Sequence, residues 1–87
     1  MITRTWNIGT GEVAITVHGD YVFVKTSDLP IIIGYDINLC EHGLYLTLCS
    51  YYEHGDKSAY LAESELILAA FDLLPEMLQF INDDVKN

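Results

Sequence analysis

The stretch EVAITVH-GD-YVFVKT, residues 12–26, leaves the chain few folds to choose from. Two runs of alternating β-branched and polar residues flank a two-residue loop with Gly first. That loop suits a type II′ hairpin turn, whose twist matches that of the strands it joins. The register follows from the turn: His18 faces Tyr21, Val17 faces Val22 and Ile15 faces Val24. Val13, Ile15, Val17, Val22 and Val24 then form one apolar face, because side chains alternate across a strand. The other face carries Ala14, Thr16, His18, Tyr21, Phe23 and Lys25. It is half aromatic and only weakly polar.

The hairpin extends in both directions. ITRTWNI, residues 2–8, alternates as a strand with Ile2, Trp6 and Ile8 on one side, and Gly9-Thr10-Gly11 ends it. Ser27-Asp28-Leu29-Pro30 is a break, since Pro30 cannot sit inside a central strand. IIIGYDINLC reads as a fourth strand with a bulge at Gly34, and Glu41-His42-Gly43 as a turn. LYLTLCSYY, residues 44–52, reads as a fifth strand, with Leu44, Leu46 and Leu48 on one side and Tyr45, Thr47, Cys49 and Tyr51 on the other. EHGD turns again, and KSAYLA reads as a short sixth strand. Near Ser64, a suitable N-cap, the apolar period changes from two to 3.6. Leu66, Ala70, Leu73, Met77 and Phe80 make one stripe; Ile67, Phe71, Leu74, Leu78 and Ile81 make the next. The expectation is an α+β fold: an antiparallel sheet of about five strands over residues 2–62, with a C-terminal helix from about 64 to 82, kinked or broken at Pro75, packed on one face.

Eighty-seven residues suit a single domain, 1–87. With 51% hydrophobic residues, the chain holds more apolar surface than one small core hides. The surplus predicts a homodimer or a partner interface, with Phe71, Leu74, Leu78 and Ile81 on the helix as the dimer contact. Thirteen acids against four bases give a net charge of −9, which disfavours direct nucleic-acid binding, because phosphate contacts need Lys and Arg. The same charge fits a basic protein partner. MITRTW is not a signal sequence, and LILAAF is too short to span a bilayer, so a cytoplasmic location is expected and no membrane association.

Chemistry is sparse. Cys40, His42, Cys49 and His54 read as C-x-H…C-x4-H, a poor match to zinc-ligand spacing. No metal or other cofactor is expected. His18 beside Asp20 and His54 beside Glu53 lack a marked nucleophile, so no catalytic residues are assigned and the chain is expected not to be an enzyme. Tyr45, Tyr51, Tyr52 and Tyr60 lie among Glu53, Asp56, Glu63 and Glu65. Rings that supply area beside carboxylates that steer and pair with Arg suit a basic protein surface, and these eight residues are the expected partner-binding set.

LILAAFDLL, residues 66–74, resembles the helix LIAAAPDLL that recurs near the ends of small accessory proteins of phages and prophages. Leu66, Ile67, Ala69, Ala70, Asp72, Leu73 and Leu74 match. Phe71 stands where that pattern has Pro, and the proline here comes at 75. The resemblance covers nine residues and implies origin in a phage or another mobile element. Three readings follow. The first is an inhibitor of a host nucleic-acid-binding defence protein, of the anti-CRISPR or anti-restriction kind. The second is a homodimeric structural or assembly protein. The third is a small-ligand binder or enzyme using the aromatic sheet face. A mean hydropathy of +0.22 argues against pure DNA mimicry and for an aromatic centre with an acidic rim.

Overall fold

The computed structural model describes residues 1–9, 11–27, 31–54 and 60–86. Four strands, β1 (Ile2–Ile8), β2 (Gly11–His18), β3 (Tyr21–Thr26) and β4 (Ile32–Asp36), form an antiparallel sheet in chain order. A 3-10 turn at Ile37–Leu39 leads into three helices, α1 (Cys40–His54), α2 (Tyr60–Asp72) and α3 (Leu74–Lys86). The fold is α+β.

The central hairpin has the register its turn dictates: His18 opposite Tyr21, Val17 opposite Val22, Ile15 opposite Val24. Gly19 sits at φ +61° while Asp20 keeps a negative φ, as a type II′ turn requires. Val13, Ile15, Val17, Val22 and Val24 are all buried. They meet Leu44, Leu48 and Tyr51 of α1, Leu66, Ile67 and Ala70 of α2, and Met77 and Ile81 of α3 in one core. Among the described residues no helix covers the opposite sheet face; His18, Tyr21, Lys25 and Ile32 are exposed on it.

From residue 37 onward the structure corrects the expected strands. The sheet has four strands, and residues 44–52 are helix. Leu44, Thr47, Leu48 and Tyr51 are buried at the i, i+3, i+4, i+7 spacing of one helix face, while Tyr45 and Leu46 point outward. The period-two reading failed because Leu and Tyr occupied both of its faces, so alternation had no polar side to identify. Thr47 is accommodated by donating its hydroxyl to the Gly43 carbonyl at 2.9 Å. Gly34 is not a bulge. It pairs regularly with Phe23, whose ring lies 2.8 Å from where a Gly34 Cβ would stand. Gly43 is not a turn residue either. It lies within α1, where a Cβ would overlap the Tyr35 ring, so its lack of a side chain lets helix and sheet approach.

The turn that reverses the chain lies earlier, at residues 36–40. Asp36 accepts from the Asn38 amide at 2.8 Å, and the Ile37 amide donates to the Asp20 carbonyl at 2.8 Å. Cys40 takes φ 52° and ψ −136°, a conformation that favours glycine, to aim α1 back across the sheet. Of the expected sixth strand, 57–62, residues 60–62 begin α2 and residues 57–59 lie outside the described residues. The C-terminal apolar segment, expected as a helix from about 64 to 82 kinked or broken at Pro75, is two helices, and the break falls at residue 73. Leu73 separates them: its amide donates to Ala70 at 3.0 Å, and its carbonyl accepts from Met77 at 2.9 Å. Pro75 falls in the first turn of α3, where no backbone donor is needed, whereas in a continuous helix its ring would strike the carbonyl of residue 71.

Candidate functional site

α3 is fastened to the sheet by a small charged cluster. The Trp6 indole N–H donates to Glu76 Oε2 at 2.9 Å, and Arg4 reaches Glu76 Oε1 at 3.5 Å. The Arg4 guanidinium lies 4.6 Å over the Trp6 ring, and Phe80 meets that ring edge-on at 5.7 Å. This cluster joins β1 to α3.

A different arrangement stands between α1 and α2. Tyr45, Cys49, Tyr52 and Glu53 of α1 face Leu68 and Phe71 of α2 across a shallow groove of about 200 Å³. The Tyr45 and Phe71 rings meet at 5.5 Å, tilted by 54°. Tyr45, Tyr52 and Leu68 are 49%, 45% and 55% exposed, so their apolar surface is turned to solvent although a core is available beneath them. Glu41 precedes Tyr45 by one turn; Glu65 and Asp72 flank Leu68 on the exposed side of α2. Neither helix contains a Lys or Arg. The result is an aromatic centre with an acidic border.

The expected partner-binding residues are divided by this geometry. Tyr45, Tyr52 and Glu53 come together in the groove, and Glu65 stands exposed beside it. Tyr51 is removed from any surface: it is 1% exposed, and its hydroxyl lies 2.6 Å from the carbonyls of both Val24 and Ile31. Asp56 lies outside the described residues, as do the side chains of Tyr60 and Glu63, whose backbone belongs to α2. The expected dimer residues divide too. Ile81 is buried in the chain's own core; Leu74 and Leu78 are half-buried against it; Phe71 is half-buried and lines the groove. Sequence reasoning missed Cys49 and Leu68 as lining residues. The signal was Leu68 itself, a large apolar residue of α2 that falls on neither helical stripe.

Cys40, His42, Cys49 and His54 are strung along α1, and among the described residues no group of three or more His, Cys, Asp or Glu is placed to hold a metal. Cys40 and Cys49 are free thiols. The Tyr35 hydroxyl is buried without a hydrogen-bond partner among the described residues. Burial, and secondarily the nearby Cys40 thiol, push its pKa up to about 12. Among the described residues no helix is long and apolar enough to cross a membrane. No protein-family model matches the chain, and no curated protein or solved structure matches it either.

Proposed function

We propose that the chain is a small protein-binding domain that docks a basic partner through the α1–α2 groove. The observation that carries this reading is the pairing of exposed Tyr45, Tyr52 and Leu68 with Glu41, Glu53, Glu65 and Asp72 on two helices free of Lys and Arg. Aromatic side chains anchor a desolvated centre, and carboxylates around it steer a cationic surface into place. A partner whose basic surface ordinarily holds nucleic acid is blocked when that surface is occupied. An inhibitor of a host defence protein, of the anti-CRISPR or anti-restriction kind, is the biological form of this reading that the resemblance at residues 66–74 supports.

The test compares captures from bacterial lysate by the wild-type chain and by a Tyr45→Ala/Tyr52→Ala/Leu68→Ala variant that keeps its thermal transition. A basic protein retained by the wild type, lost by the variant and displaced by nucleic acid supports the reading. Identical captures by both chains overturn it.

A second reading, the homodimer, is favoured by the uncovered sheet face, where Tyr21 and Ile32 are exposed and Phe23 is half-buried over Gly34. The sheet, not the C-terminal helix, is then the contact. Sedimentation of the wild type and of Ile32→Lys separates the two: a dimer that dissociates with this substitution supports pairing through the sheet.

A further inference from the structure

The chain uses one recognition arrangement internally and presents most of it again on its surface. On β1 and α3, the Arg4 guanidinium lies 4.6 Å over the Trp6 ring while one oxygen of the Glu76 carboxylate stands 3.5 Å from its Nη2. In the α1–α2 groove the rings and a carboxylate are present, with no Lys or Arg among the described lining residues. Tyr45 and Tyr52 are seven residues apart on one helix, which separates them by about 10 Å along the axis. Cys49 lies between them, Leu68 and Phe71 form the far wall, and Glu53 is the carboxylate among the described lining residues.

We infer that this groove is a receptor for an arginine side chain of the partner, with the guanidinium against the Tyr52 ring and its N–H groups on the Glu53 carboxylate. The inference rests on the docking reading above and names the side chain that reading leaves open. Charge complementarity selects a cation: among the described residues the lining contains a carboxylate and no Lys or Arg, in a chain of net charge −9. Shape selects arginine over lysine. A shallow groove between helices, bordered by the aromatic side chains of Tyr45, Tyr52 and Phe71, suits a flat group that stacks on a ring, whereas an ammonium is compact and strongly hydrated. A guanidinium also presents two parallel N–H groups to one carboxylate, which an ammonium cannot do. The aliphatic stem of arginine lies along Leu68 and the Tyr45–Phe71 pair, covering the apolar surface that is otherwise in water.

The experiment uses small probes and needs no identified partner. Amide and side-chain resonances of the full chain are followed by NMR during titration with N-acetyl-arginine methylamide, its neutral isostere N-acetyl-citrulline methylamide, and N-acetyl-leucine methylamide. The expected result is saturable shifts at Cys49, Tyr52 and Leu68 with the arginine probe. The citrulline probe should bind at least about tenfold more weakly. Glu53→Gln should weaken the arginine probe about tenfold while leaving the citrulline probe unchanged, and Tyr52→Ala should weaken the arginine probe several-fold. Both positions are exposed, so both variants should keep the fold. Equal binding of arginine and citrulline overturns the inference. Saturation by the leucine probe alone also overturns it but leaves the docking reading standing with an apolar anchor. No response to any probe, together with lysate capture unaffected by Tyr52→Ala, overturns both.

Discussion

Two buried tyrosines differ in what their hydroxyls find. Tyr51 donates toward the Val24 and Ile31 carbonyls at 2.6 Å, tying α1 to the sheet, whereas the Tyr35 hydroxyl has no partner among the described residues. Removing the first leaves buried acceptors short of a donor; removing the second leaves nothing unpaired. Tyr51→Phe should therefore cost about 1–3 kcal/mol, and Tyr35→Phe should be neutral or stabilising by up to about 1 kcal/mol, as read from urea unfolding at pH 7. The Tyr35 phenol, pushed up to about 12, adds a pH signature. Its folded pKa exceeds the unfolded value of about 10, so the unfolded chain releases this proton first as pH rises. The associated stability is complete below pH 10 and is lost on the way to 12. At pH 11 the wild type should have lost about 1 kcal/mol more than Tyr35→Phe has. Gly43 sets packing against propensity. Alanine is the better helix former by about 1 kcal/mol, yet its Cβ would overlap the Tyr35 ring. Gly43→Ala should lower stability by about 2 kcal/mol, within the range for overpacking a core. Cys40 is the opposite case: glycine suits φ 52° and ψ −136°, and Cys40→Gly should raise the thermal midpoint, with a gain of about 1 kcal/mol.

Among the elements, α3 depends on Glu76. Its carboxylate accepts from Trp6 and pairs with Arg4, joining the first strand to the last helix. The Arg4 pair is half-exposed and weak in itself; the bond from the part-buried indole carries more. Glu76→Ala should cost about 1–2 kcal/mol and shift the emission of Trp6, the only tryptophan, whereas Glu76→Gln should restore part of the loss by accepting the indole N–H. Arg4 has a second effect at this scale. It is a charge on the inward face of an edge strand, and such a residue discourages pairing with another chain's edge. The elements also show where sequence periodicity suffices. Over residues 11–26 the inward β-branched residues alternate with small, polar or aromatic ones, and only one register buries Val13, Ile15, Val17, Val22 and Val24 together. Over residues 44–52 both periods fit the apolar residues, and burial in the assembled fold selected the helix.

At the scale of the molecule, charge dominates. A net charge of −9 on 87 residues makes the folded state repel itself. Raising the salt concentration from about 10 mM to about 150 mM shortens the screening length from about 30 Å to about 8 Å, and the thermal midpoint should rise by several degrees. An unchanged midpoint would mean that the carboxylates are spaced widely enough not to interact. The same repulsion bears on association: two copies brought together through the acid-bordered groove oppose each other, whereas a basic partner does not.

The sequence by itself determined the hairpin, its register, its core face and the change to a helical C-terminal region, because these depend on neighbours one turn or one strand away. It also determined the net charge of −9, on which the proposal of a basic partner rests. Tertiary structure decided which of two periods residues 44–52 follow, since that depends on the sheet and helices that bury Leu44, Leu48 and Tyr51. It decided that Gly34 and Gly43 serve ring contacts instead of a bulge and a turn. It also placed Tyr51 in the core while Tyr45 and Tyr52, on the same helix, reach the surface beside Leu68. A tyrosine has the same chemistry at all three positions, and only the packing of α1 against its neighbours determines which ring a partner can touch.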